Sequence, residues 1–171
     1  EDSPHPAMYT ARGKAYIDSG AYRRAIQDLD QAILTDSTYA PAYIQRGRAY
    51  AELGQYKQAL SDLDKAVRLD PLRADGYVNR ADIQLSLDAP VRALADLDQA
   101  IALDAELARA YYLKGNTYSS LVHLSQAIEQ LDLALGLDPG LVPAYISRAQ
   151  AQHRLGLNQL AFEDLARAIE L

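Results

Sequence analysis

The residues with which this chain could do chemistry are three histidines, 23 carboxylates and 17 Lys or Arg side chains. The histidines, His5, His123 and His153, lie far apart, and no two sit one helical turn from each other as metal ligands on a helix would. There is no cysteine, which excludes a thiol nucleophile, a disulfide and a thiolate metal site. No glycine-rich phosphate loop and no Ser–His–Asp arrangement stands out. The chain is therefore read as a non-enzyme with no cofactor and no metal. With a net charge of −6 and a pI near 5.0 it lacks the cationic surface that releases counterions from nucleic acid. No apolar run reaches the length of a membrane span, so no membrane insertion is expected.

What the charged residues do show is recurrence. Arg12, Arg46, Arg80 and Arg148 are each followed sixteen residues later by an aspartate: Asp28, Asp62, Asp96 and Asp164. Where the arginine gives way to Lys114, the aspartate gives way to Gln130. A guanidinium can fork onto a carboxylate through two parallel hydrogen bonds and an ammonium cannot. These residues are accordingly expected to form structural ion pairs within or between neighbouring units. A second series, Asp30, Asp64, Asp98 and Asp132, lies two residues beyond the first and ends at Ala166. It is expected to form a solvated acidic ladder on an outer face.

The elements that must position these groups follow from a period of 34 residues. After a leader of residues 1–5, the units are 6–39, 40–73, 74–107, 108–141 and 142–171, read as a single domain over residues 6–171. With positions counted 1 to 34 in each unit, position 4 is always Tyr, position 20 always Ala, position 24 always Leu and position 27 always Ala. Position 8 is Gly13, Gly47, Ala81, Gly115 and Ala149. Positions 4, 8 and 11 share one face of a first helix, and positions 20, 24 and 27 one face of a second. Gly20, Gly54 and Gly156 suit the turn between the two helices. Asp88 and Val122 replace glycine there, and those two turns are expected to be less regular. Asp70-Pro71 and Asp138-Pro139 mark the breaks between units.

The runs Tyr43-x-x-Arg46-Gly47-x-Ala49-Tyr50, Ala59-Leu60, Leu63, Ala66 and Leu69-Asp70-Pro71 resemble the tetratricopeptide repeat family. That resemblance covers residues 6–171. It implies an all-α fold of about ten antiparallel helices, A and B in each repeat, stacked as a right-handed superhelical solenoid. It also implies a concave groove lined by A-helix positions 2, 5, 6, 9, 12 and 13. Position 5 reads Thr10, Ile44, Val78, Tyr112 and Ile146, either an apolar stripe on the groove floor or a core position covered by the next repeat. Arg48, Asn79, Arg109 and Asn116 flank it. The family's carboxylate clamp for acidic tails is matched only in part, by Arg48, Asn79 and Arg109, while Ile44 and Leu113 break it.

The family resemblance implies a non-catalytic scaffold or adaptor that binds a protein or peptide segment in the groove. The peptide-binding residues are taken as Ile44, Arg48, Val78, Asn79, Arg109, Tyr112, Asn116 and Ile146. Two alternatives stay open: a substrate-recognition module of a larger multidomain enzyme, and a homo-oligomeric platform assembled through the bare C-terminal repeat. RNA reading by related helix-pair proteins needs a basic groove, which this acidic chain does not promise. The usage looks bacterial, and a soluble protein of the cytoplasm or periplasm is expected.

Overall fold

The structure is a computed structural model that describes residues 5–171. Ten helices follow in order: α1 Pro6–Asp18, α2 Tyr22–Thr35, α3 Ala40–Glu52, α4 Tyr56–Leu69, α5 Ala74–Ser86, α6 Pro90–Leu103, α7 Ala108–Ser120, α8 Leu124–Leu137, α9 Val142–Arg154 and α10 Asn158–Glu170. They fall into two compact units, Glu1–Asp88 and Ala89–Leu171. Odd-numbered helices are A and even-numbered are B. In the first unit α1 packs on α2 and α3 on α4, and α3 and α5 also meet the preceding A and B helices. In the second unit α7 packs on α8 and α9 on α10, with α9 meeting both α7 and α8.

The hairpins of repeats 1, 2 and 4 each close around one close approach. A Cβ placed on Gly47 would lie 3.2 Å from the Ala59 carbonyl oxygen and 3.0 Å from Leu63 Cγ. At Gly115 the same distances, to Ala127 and Leu131, are 3.1 and 2.7 Å. The small residue at position 8 thus lets the A and B backbones come together, and the position-24 leucine fills the space beside it. Leu29, Leu63 and Leu131 are wholly buried as a result.

The A–B turns all have the same geometry, including the two expected to be irregular. Gly20, Gly54 and Gly156 have φ of 77°, 71° and 79°, and Asp88 and Val122 adopt 55° and 63°. In repeat 4, Val122 N–H donates to Ser119 O and His123 N–H to Tyr118 O, as Gly54 and Gln55 do to Ala51 and Tyr50 in repeat 2. Helix packing therefore overrides the residue's own preference, and Val122 carries the cost of a β-branched side chain in the left-handed region.

Between repeats, the position-4 tyrosine ties down the turn before it. Tyr43, Tyr77 and Tyr145 hydroxyls donate to the carbonyls of Ser37, Pro71 and Pro139 at 3.0, 3.1 and 3.3 Å. Asp36, Asp104 and Asp138 accept from the backbone N–H two residues on, closing a side-chain turn.

The position-7 arginines hold the repeats both internally and to one another. Arg46 donates from Nε and Nη2 to the two carboxylate oxygens of Asp62, each at 2.7 Å, and from Nη1 to Asp30 at 2.6 Å. Arg148 does the same with Asp164 and, at 2.6 Å, with Asp132. Arg12 forks onto Asp28 at 2.6 and 2.8 Å. Arg80 reaches Asp64 at 2.9 Å, and Asp96 is buried within the second unit. Tyrosine rings at position 4 lie 5.6 to 5.8 Å from the arginine carbon, a cation–π arrangement. Hydrogen bonds to Asp62 and to Asp164 hold the Arg46 and Arg148 guanidiniums further above their already high range, so both stay charged.

The expected solvated acidic ladder needs correction. Asp30, Asp64, Asp98 and Asp132 each take the position-7 cation of the following repeat. The outward turn of helix B at position 25 is where the next A helix lies, so those carboxylates face a neighbour. The correction also explains repeat 4. Lys114 makes the contact to Asp98 at 2.7 Å with its single nitrogen, while Gln130 stands where the forked carboxylate would be.

Two outcomes follow. Val122→Gly removes the strained β-branched residue and should raise stability by about 1 kcal/mol, the loss of backbone restriction in the unfolded chain offsetting part of the gain; an unchanged or lower urea midpoint would refute the strain. Asp62, buried, and Asp30, about half exposed, differ in what their loss leaves behind. Asp62→Asn should cost about 2–4 kcal/mol and Asp30→Asn less than about 1 kcal/mol in urea unfolding. Equal losses would contradict the reading.

Candidate functional site

The A helices present the candidate surface, and the two units are taken separately. In the first unit, Ile44 is 1% exposed and Val78 4%. Ile44 packs with Tyr43, Leu63 and Ile83. A Cβ on Gly76, at the start of the next A helix, would lie 3.7 Å from Ile44 Cδ1. The next A helix thus covers position 5, and Ile44 and Val78 belong to the core rather than to a groove floor. Asn79 is likewise buried, and its Nδ2 donates to the Asp75 carbonyl one turn back at 2.7 Å. These three residues are corrected from binding residues to structural ones. Arg48 is half-buried, and its Nη1 donates to Gln45 Oε1 at 2.8 Å.

In the second unit, Tyr112 is half-buried against Leu131, Leu135 and Ala144. Arg109 is exposed near the start of α7. Ile146 is 40% exposed and lines an apolar cavity of about 370 Å³ with Ala149, His153, Ala161, Phe162 and Leu165. Asn116, alone of the eight expected groove residues, lines a polar recess between A helices. That recess, of about 350 Å³, is formed by Asn116, Ser119 and Ser120 of α7 and Ser147, Gln150 and Arg154 of α9. Arg154 bridges the two helices, its Nη1 donating to the Ser119 carbonyl at 2.9 Å and lying 3.3 Å from Ser119 Oγ. Ser120 Oγ donates to the Thr117 carbonyl at 2.8 Å.

The recess combines one cation, two carboxamides and three hydroxyls. Carboxamides both donate and accept, as an extended peptide backbone requires, and a guanidinium offers five N–H donors in a fixed fork. Four recess positions, 6, 9, 12 and 13 of the A helices, were legible from the family pattern. Ser119, Ser120, Ser147, Gln150 and Arg154 belong to no regular series from repeat to repeat, whereas position 5 does.

The histidines occupy structural or exposed places. His5 caps α1, its Nδ1 accepting from Ala7 N–H at 3.2 Å. His153 Nδ1 lies 2.8 Å from Asn158 Oδ1. The His123 ring is tilted against Tyr118 at 6.2 Å. Among the described residues no three His, Asp or Glu side chains gather as a metal site would need, and no helix is long and apolar enough to cross a membrane.

Comparison with known proteins places this architecture. No protein of curated function matches the chain. Solved structures do: a MamA protein at 27% identity, covering 96% of this chain and 90% of that one, with a TM-score of 0.76. MamA residues 41 to the end from Desulfovibrio magneticus RS-1 superpose with a TM-score of 0.80 at 24% identity, covering 99% and 96%. YrrB, described as a TPR protein with an unusual peptide-binding site, is 25% identical over 95% of this chain and 84% of its own, with a TM-score of 0.70. Family models for the tetratricopeptide repeat match residues 40–71 and residues 6–39 and 108–141, together more than half of the sequence. The all-helical chain belongs to the tetratricopeptide repeat family.

Proposed function

We propose that this protein is a non-catalytic interaction scaffold whose A-helix face holds an extended peptide or protein segment. The observation that carries the reading is the polar recess between α7 and α9, with Asn116, Gln150 and the bridging Arg154. Its mix of carboxamide and hydroxyl groups suits peptide backbone, and Arg154 suits a carboxylate of the ligand, from a side chain or a C-terminus. The likeness to YrrB supports peptide binding as the kind of function, since that protein's description includes a peptide-binding site. In the first unit, A-helix residues Arg48, Glu52 and Asp82 carry charges of both signs, which would favour a ligand of mixed polarity.

Selection from a displayed random-peptide library tests this. The purified chain should enrich peptides with a carboxylate at a fixed place. Arg154→Ala should weaken those peptides about 10- to 100-fold, the loss of one charge-assisted hydrogen-bonded contact. Arg92→Ala, an exposed arginine on helix α6, should leave them unchanged. Failure to enrich any peptide, or equal losses in the two variants, would overturn the reading.

A further inference from the structure

Arg12, Arg46 and Arg148 all present the same edge to a carboxylate. Each donates from Nε and Nη2 to the two oxygens of one aspartate. Arg46 and Arg148 spend Nη1 on an acceptor in the preceding repeat. Arg154 follows the second half of that pattern. Its Nη1 donates to the Ser119 carbonyl of the preceding repeat at 2.9 Å and lies 3.3 Å from Ser119 Oγ. That carbonyl belongs to the last turn of α7, the negative end of the helix dipole, where a cation is favoured. The contact fixes the guanidinium at the polar recess. Its Nε and Nη2 donate to no described residue.

The rest of the recess is built to the same sign. The side chains of Asn116, Ser147 and Gln150 make no hydrogen bond among the described residues, and each can donate. Neither α7 nor α9 contains an aspartate or a glutamate. From residue 89 onward every carboxylate side chain lies in a B helix or in a turn between repeats. The first unit differs, since its A helices carry Asp18, Glu52, Asp75 and Asp82. In a chain of net charge −6, the A helices of the second unit thus hold cations and neutral donors and no carboxylate. A cationic group entering the recess would meet Arg154 as a like charge, and a carboxylate would meet an open fork.

We propose that the Nε–Nη2 edge of Arg154 receives a carboxylate of the bound segment through two parallel hydrogen bonds, as the same edge of Arg46 receives Asp62. The inference rests on the peptide reading of the recess and deepens it. The recess, of about 350 Å³, has room for the carboxylate and the chain that carries it. The guanidinium gives the contact its geometry, which an ammonium lacks. The absence of carboxylates from α7 and α9 gives it its sign. A Glu or Asp side chain and a C-terminus both offer the two oxygens that the fork needs.

Blocked probes separate these sources. N-acetyl-glutamate amide carries a side-chain carboxylate, N-acetyl-glycylglycine a terminal one, and N-acetyl-glutamine amide neither. Each is titrated into the folded chain at low ionic strength. NMR follows the arginine Nε–H groups and the Asn116 and Gln150 side-chain amides. Saturable shifts are expected with at least one carboxylate probe and none with the glutamine probe, and Arg154 Nε–H should move most. Arg154→Lys, read on the amides, should weaken the responding probe at least about 10-fold, because one ammonium cannot fork. Gln150→Glu, at an exposed position, leaves Arg154 in place and should weaken it about 10-fold by setting a carboxylate at the recess. No saturable shift with either carboxylate, equal binding of the glutamine probe, or native binding in either variant would overturn the fork. Selection of random peptides reports on the peptide reading separately. Enriched peptides that bind Arg154→Lys as well as the native chain would keep that reading and sink the fork. A saturable carboxylate response without any enriched peptide would do the reverse.

Discussion

The interaction on which the rest of this structure depends is one guanidinium shared by two carboxylates. A position-7 arginine lies against the tyrosine one turn before it and forks onto the aspartate of its own helix B. It spends its remaining nitrogen on the aspartate of the preceding repeat. Such a charge can be held with little exposure only because every face of it is answered. The fork sets how helix A lies on helix B, and the third hydrogen bond sets how one repeat lies on the next. Close packing of Gly or Ala against the position-24 leucine supplies the bulk of the burial, but apolar packing has little directional content. The arginine adds direction, because Nε, Nη1 and Nη2 reach their partners only in one arrangement.

That arrangement also decides which surfaces are free. The next repeat takes up the acidic series at position 25 of helix B and, in the first unit, covers Ile44 at position 5 of helix A. The outer turns of the A helices are left, and in the second unit they carry Asn116, Gln150 and Arg154 around a polar recess. That polar surface is suited to an extended ligand.

The repeat, the two helices in each unit and the contact between positions 8 and 24 were legible because they recur at helical spacing. The ion pair was legible through a single exception, the joint exchange of Arg for Lys114 and Asp for Gln130. The second partner of the arginine was not, since it lies in the preceding repeat and the periodicity of one repeat cannot say which face its neighbour covers. The same blindness turned Ile44 and Val78 into groove residues. Position 5 is apolar for the same reason as the core, and only Gly76 lying against Ile44 in three dimensions separates the two readings. Val122 shows the reverse case. Its residue type argues against a left-handed turn, and the packing of α7 on α8 imposes one regardless.

The most direct test of the central claim transplants the exception. Arg46→Lys, Asp62→Gln and the double variant reproduce in repeat 2 the combination found in repeat 4, and urea unfolding of all four proteins forms a closed cycle. If the fork is what links the two positions, each single change is costly. The double variant then loses less than the sum by about 1–3 kcal/mol, because Lys at position 46 still reaches Asp30 while Gln no longer buries an unanswered charge. Additive losses would mean that Arg46 and Asp62 act independently, and would contradict the account.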